Sequence, residues 1–239
     1  MSSPLVLFCA GPGFGLPEIS PFAVKAEVQL KMAGLAYAKQ QATPDASPKG
    51  QLPFLSDDGV LVADSTFTRR HIEKTRKVDL DAGLDARERA WAWTLERLLE
   101  NHLNPVIGYT RFLLPENFAK GAAHWFDAAP EAVRDGLRQQ LLEAVTASMR
   151  ALGPARHAPD EVVELGDRSL DALSQALGDK PYLMGDRPVA VDATAFGTMS
   201  GLLTPFFDTE IRRRALRYPN LAGYAARLMK RYYPDHPWS

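Results

Sequence analysis

Over the first 80 residues the hydrophobic positions come in short runs broken by turns; from residue 85 onward they recur at helical spacing. Leu5–Cys9 is a continuous apolar run, the pattern of a strand covered on both faces. Leu35–Ala38 reads as a second strand. Phe54-Leu55 and Val60–Ala63 flank Asp57-Asp58-Gly59, a hairpin signal. Helices over about 20–33 and 65–77 complete a βαβ…ββα unit. The first of these helices conflicts with its own periodicity, because Val24 to Met32 alternate apolar and polar as a strand would. Its boundaries overrule the period. Ser20-Pro21 is an N-cap followed by proline in the first turn, Glu27 and Lys31 are an i,i+4 pair, and Gly34 sits at a C-cap position.

In the second half Asp85 and Glu88 have capping-box spacing before a stripe of Trp91, Leu95, Leu98, Leu99, His102 and Val106. Pro130 opens a helix with Val133, Leu137, Leu141, Val145, Met149 and Leu152 on one face, stopped by Gly153-Pro154. A third helix carries Val162, Leu165, Leu170, Leu173 and Leu177; two more run over about 190–203 and 220–232. The pattern predicts an α+β fold: a small sheet domain over residues 1–78, a linker at 79–84 and an all-helical domain over 85–239.

Composition adds exclusions. With 28 Lys and Arg against 29 Asp and Glu, the net charge of −1 offers no general attraction to nucleic acid. No apolar stretch has the length of a transmembrane helix. The N-terminus lacks a basic n-region, since the first cation is Lys25, and the single cysteine forms no internal disulfide; the expected location is cytoplasmic. Cys9, within an apolar run, reads as a small core residue. No His, Cys or Asp spacing suggests a metal site, and His71 and His102 read as surface or packed histidines.

The glycines Gly11, Gly13 and Gly15 after the first strand raise the question of a dinucleotide site. Their spacing is G-x-G-x-G, five residues separate Gly15 from the helix, and residues 36–42 (AYAKQQA) lack the acid such a site needs. They read as a connection that lengthens the path from strand to helix, with a mobile wall over a cleft as the functional alternative.

Several phrases, taken jointly, carry a resemblance: Ser20-Pro21-Phe22-Ala23 opening the first helix, Gly50-Gln51-Leu52-Pro53-Phe54-Leu55 before the hairpin, Asp64-Ser65 opening the next helix, and Val191-Asp192-Ala193-Thr194-Ala195-Phe196 in a late one. The chain resembles the glutathione S-transferase superfamily, a thioredoxin-like domain followed by a helical one, and within it the metaxin-like and failed-axon-connections group. The resemblance implies glutathione as co-substrate, no metal, a small electrophile as second substrate, and the homodimer common in this fold. It places Phe22, Gln51, Leu52, Pro53, Asp64 and Ser65 in the glutathione site. Pro53 would be cis, turning the Leu52 backbone toward an extended peptide, unless it is a trans proline at a strand edge. Asp64-Ser65 would receive the γ-glutamyl group at a helix N-terminus, beyond its capping role.

Ser20 has two readings that the residues leave open: an N-cap alone, or a hydroxyl that donates to the glutathione sulfur and stabilises its thiolate. The second makes it the catalytic residue of a transferase; the first suits a non-catalytic binding module of metaxin-like type. With Ser at 20 and Ala at 23, dithiol chemistry is excluded. In the late helix Val189 stands where the family has Ser or Thr three residues before Asp192, so its capping box is expected to be half lost. Tyr109 and Arg111 are candidates for the acceptor pocket at the domain junction.

Overall fold

The computed structural model describes residues 5–238. Strands β1 (Leu5–Cys9), β2 (Tyr37–Gln41), β3 (Phe54–Asp57) and β4 (Val60–Ala63) form one sheet in the order β2-β1-β3-β4. β2 runs parallel to β1, while β3 is antiparallel to it with Leu55 opposite Leu7. α1 (Pro21–Met32) is the crossover from β1 to β2, and α2 (Ser65–Arg76) follows the β3–β4 hairpin, giving a thioredoxin-like unit. β2 starts two residues later than the predicted Leu35–Ala38. As an edge strand paired only with β1 it needs no run of apolar residues, and Ala38–Gln41 are exposed.

The alternating pattern of α1 has a physical explanation. Eight consecutive residues, Ala23–Leu30, are buried. The helix is enclosed: Ala26 and Leu30 join Leu5, Leu7 and Leu55 against the sheet, while Val24 and Val28 join the core of the helical unit. Polar side chains at the alternate positions are therefore buried as well, and two of them have charged partners. Lys25 meets Glu96 and Glu100; Glu27 accepts from Tyr37, Lys39 and Tyr233. Gln29 has no side-chain partner among the described residues.

The helical unit comprises α3 (Ala86–Leu98), a π-helical turn (Leu99–Leu103), α4 (Asn104–Phe112), α5 (Pro115–Lys120), α6 (Glu131–Leu152), α7 (Pro159–Leu177), α8 (Ala190–Leu203), α9 (Glu210–Ala215) and α10 (Pro219–Tyr232). α8 is buried along its whole length and packs on α1, which makes it the shared spine of the two units. In α3 the inward seam runs through Ala92, Leu95 and Leu99, and Trp91, predicted inward, is 47% exposed. The π turn then shifts the register so that Leu103, Val106 and Ile107 continue the seam. α6 contains no fully buried residue, and Val133 and Leu152 are exposed. No helix among the described residues is long and apolar enough to cross a membrane.

The glycine loop pins one unit to the other. At its tip Phe14, with φ 54°, packs against Phe206 and Phe207 at centroid distances of 4.9 Å each. Thr204 Oγ1 donates to the Phe14 carbonyl at 2.6 Å, and His236 Nε2 lies 2.9 Å from that of Gly15. Gly11 is required where it sits, because its φ is +96° and a Cβ would lie 2.1 Å from the Gln41 side chain. Its N–H donates to the buried Glu18 carboxylate at 2.8 Å.

Asp192 compensates for the valine at position 189. Its carboxylate accepts from the Val189 N–H at 2.8 Å, the Leu183 N–H at 2.9 Å and the Tyr224 hydroxyl at 2.7 Å. Removing it strands three buried donors, each worth roughly 1–3 kcal/mol when left unpaired. Asp192→Ala is expected to lower the unfolding free energy in urea by about 3 kcal/mol; a loss under about 0.5 kcal/mol would show the cap to be dispensable.

Candidate active site

Two adjoining cavities lie along the seam between the units. The first, of about 230 Å³, is walled on the sheet side by Phe22, Gln51, Leu52, Pro53, Asp64 and Ser65, and on the helical side by Arg97, Glu100 and Asn101. The second, of about 250 Å³, is mostly hydrocarbon: Pro21 and Phe22 from α1, Pro105, Ile107, Gly108 and Phe112 from α4, and Met149 and Leu152 from α6, with Glu100, Asn104 and Arg111 as its polar lining. Phe22 and Glu100 belong to both and form the partition between them. Met149 and Leu152 explain part of the apolar face of α6, since it walls an open pocket rather than a core.

The sheet-side wall is rich in unused backbone groups. The Leu52–Pro53 peptide is cis, and neither the N–H nor the C=O of Leu52 has a partner among the described residues. Asp64, at φ 79°, caps α2 by accepting from the Thr66 N–H at 2.8 Å with one carboxylate oxygen. Ser65 is buried at the first position of α2, where N–H groups have no helical partner and the helix dipole is positive. An anionic group can be received there, and a cationic one by Asp64.

The helical wall is charged, and its order comes from Lys25, which is only 1% exposed. Lys25 Nζ lies 2.7 Å from Glu100 Oε1 and 3.0 Å from Glu96 Oε1, and it donates to Thr66 Oγ1 at 3.2 Å. Arg97 closes the network from the cavity side, at 2.6 Å from Glu100 Oε2 and 2.9 Å from Glu96 Oε1. Its guanidinium lies over the Trp93 ring at 4.2 Å. One buried lysine thus ties α1, α2 and α3 together where they line the first cavity.

The predicted site residues are distributed unevenly. Phe22, Gln51, Leu52, Pro53, Asp64 and Ser65 line the first cavity together. Ser20 lines neither: it caps α1, its Oγ accepting from the Ala23 N–H at 3.3 Å and its own N–H donating to Glu18 at 3.1 Å. Arg111 lines the second cavity, with Nη2 donating to the Gly201 carbonyl. Tyr109 lines neither cavity and packs, partly buried, against the helical core. Lys25, Arg97, Glu100 and Asn101 were not singled out from the sequence; the i,i+3 spacing of Arg97 and Glu100 was the available signal. Burial beside Glu18 pushes the Cys9 thiol up to about 12, so it stays protonated and unreactive at neutral pH.

A family model for the glutathione S-transferase N-terminal domain matches residues 21–117, and one for the C-terminal domain matches residues 166–228. The chain belongs to the glutathione S-transferase superfamily. Failed axon connections of Drosophila melanogaster is 30% identical, over 92% of this chain and 56% of that one. Isoprene-epoxide–glutathione S-transferase of a Rhodococcus species is 28% identical, over 92% and 96%. Human Metaxin-1 is 26% identical, over 98% and 52%, so the chain spans about half the length of the first and last of these relatives. Among solved structures, a β-etherase from Sphingobium superposes with a TM-score of 0.69 at 17% identity, covering 97% of this chain and 99% of that one. A glutathione S-transferase of Ceriporiopsis subvermispora in complex with glutathione superposes at 0.65 and 15% identity, covering 97% and 98%. These superpositions establish the transferase fold, a thioredoxin-like domain followed by a helical one.

Within this transferase fold the Lys25 network is expected to be a stability determinant. Lys25→Met leaves two buried carboxylates sharing Arg97 alone and should cost about 3 kcal/mol in urea unfolding, because removing one partner of a buried pair exposes the other to desolvation. Adding Glu96→Gln to Lys25→Met should recover part of that loss. Strict additivity of the two losses would mean that the pair does not interact.

Proposed function

We propose that this chain binds glutathione in the first cavity and adds its thiolate to a small electrophile held in the second. The observation that carries the reading is the first cavity itself, which brings the unpaired Leu52 backbone and the N-terminus of α2 into one wall. In this reading the cysteinyl unit of the tripeptide pairs with Leu52 as an added strand would. The γ-glutamyl carboxylate takes the open N–H groups around Ser65, and its ammonium faces Asp64. Gln51 and Phe22 flank the peptide.

The sulfur then lies toward the partition, where the apolar second cavity opens. Ser20 Oγ accepts from Ala23, which leaves the hydroxyl hydrogen free to donate to sulfur at the start of α1. A free thiol has a pKa of about 8.5, so lowering it by one or two units makes most of the sulfur thiolate at neutral pH. Attack forms the S–C bond; with an epoxide the C–O bond opens and the alkoxide takes a proton from water. The Rhodococcus relative's name makes a small epoxide the first acceptor to try. Reduced glutathione is supplied by the cytosol, where we place the reaction.

A second reading has its own support. Ser20 lines neither cavity, and two of the relatives are metaxin or failed-axon-connections proteins, so the fold can be kept as a binding module without conjugating activity.

Calorimetry with reduced glutathione should give a dissociation constant below 1 mM, about −4 kcal/mol, and Asp64→Ala should weaken it about tenfold by removing an ion pair worth about 1.4 kcal/mol. No heat at millimolar glutathione would favour the module. If glutathione binds, Ser20→Ala should lower kcat/KM for a small epoxide by about ten- to a hundredfold, the loss of one to two units of thiol activation; an unchanged value removes Ser20 from the chemistry.

A further inference from the structure

Two charged side chains line the apolar cavity, Glu100 and Arg111, and they differ in electrostatic state. Glu100 is compensated in place by Lys25 on one oxygen and Arg97 on the other. Arg111 is 9% exposed, and among the described residues no carboxylate pairs with it. Its Nη2 donates to the Gly201 carbonyl, and its guanidinium carbon sits 5.2 Å from the centre of the Phe207 ring. Gly201 admits this arrangement, since a Cβ there would lie 3.1 Å from Nη2.

A guanidinium has five N–H donors, and one carbonyl engages few of them. Nε and Nη1 have no hydrogen-bond partner among the described residues, and the side chain lines the second cavity. Leaving a buried cation without a counter-charge costs several kcal/mol. Burial lowers its pKa to about 10, so the charge persists at neutral pH. The hydrocarbon around it (Ile107, Phe112, Met149) keeps the local dielectric low and strengthens its pull on an anion.

We infer that the second cavity is a binding site for an apolar molecule bearing one carboxylate, with Arg111 holding the acid and the hydrocarbon walls holding the body. The planar fork of a guanidinium matches a carboxylate with two parallel hydrogen bonds. As the class of acceptor, this rests on the conjugating reading; as a binding site it requires no glutathione.

The test therefore omits glutathione. Calorimetry on the full chain compares 4-phenylbutanoate with its neutral amide, 4-phenylbutanamide. The acid is expected to bind at least tenfold more tightly. Arg111→Gln, which keeps a donor for the Gly201 carbonyl but loses the charge, should abolish that ratio and leave the amide's affinity within threefold of wild type. Equal binding of the two probes by wild type, binding of neither, or a ratio that survives in folded Arg111→Gln would overturn the proposal. Should Arg111→Gln fail to fold, a wild-type crystal with 4-(4-bromophenyl)butanoate decides. A carboxylate seated on Arg111 supports the site, and one seated elsewhere sinks it.

Discussion

A lysine ammonium buried on the inner face of the first helix is the constraint on which the functional geometry depends. Lys25 is sealed from water, so it must be answered by carboxylates, and the two that answer it are Glu96 of α3 and Glu100 of the π turn that follows it. Thr66 adds the first turn of α2. These contacts join residues distant in sequence and fix the three helix segments that wall the first cavity. Such a network contributes little net stability relative to an apolar substitute, because desolvating each ion consumes most of the Coulombic gain. Its effect is on geometry, since the charges allow few alternative arrangements of α3 against α1. That it was retained for this purpose is testable through the cost and coupling of its members.

The rest of the seam is fastened by contacts of other kinds. Phe14 sits among Phe206 and Phe207, Tyr233 donates to Glu27, and the Ala190 N–H donates to Asp81, itself held by Arg69. The glycine loop that in another fold would cradle phosphate here serves attachment, because its length carries Phe14 across to the helical unit. With the two units held this way, the cavities have walls from both and a shared partition at Phe22 and Glu100. A donor on one side and an acceptor on the other would meet there with little rearrangement, the proximity that bimolecular transfer benefits from.

What the sequence revealed was local, and what it concealed was long-range. Ser20-Pro21, Asp57-Asp58-Gly59 and Asp85 to Glu88 announce caps and a turn through chemistry within four residues, and the structure places helix starts and the hairpin there. The cavity-facing set from Phe22 to Ser65 was legible because it follows from those boundaries together with the family resemblance. Lys25 with Glu96 was not, since nothing in either segment announces a partner 71 residues away. Periodicity misled where environment is unusual. In α1 every face is buried, so alternation mimicked a strand; the seam of α3 runs through Ala92 and Leu95, so Trp91 faces outward, and the π turn after α3 shifts that seam; Tyr109 packs against the helical core.

The functional account rests on one physical claim, that the wall of unpaired amides at Leu52 and the opening of α2 receives a tripeptide. Hydrogen exchange read amide by amide tests it most directly, with and without saturating reduced glutathione. Slowed exchange is expected at the Leu52 and Ser65 amides, with the α6 amides unchanged. Unchanged exchange at both, or protection confined to segments outside the first cavity, would contradict the account.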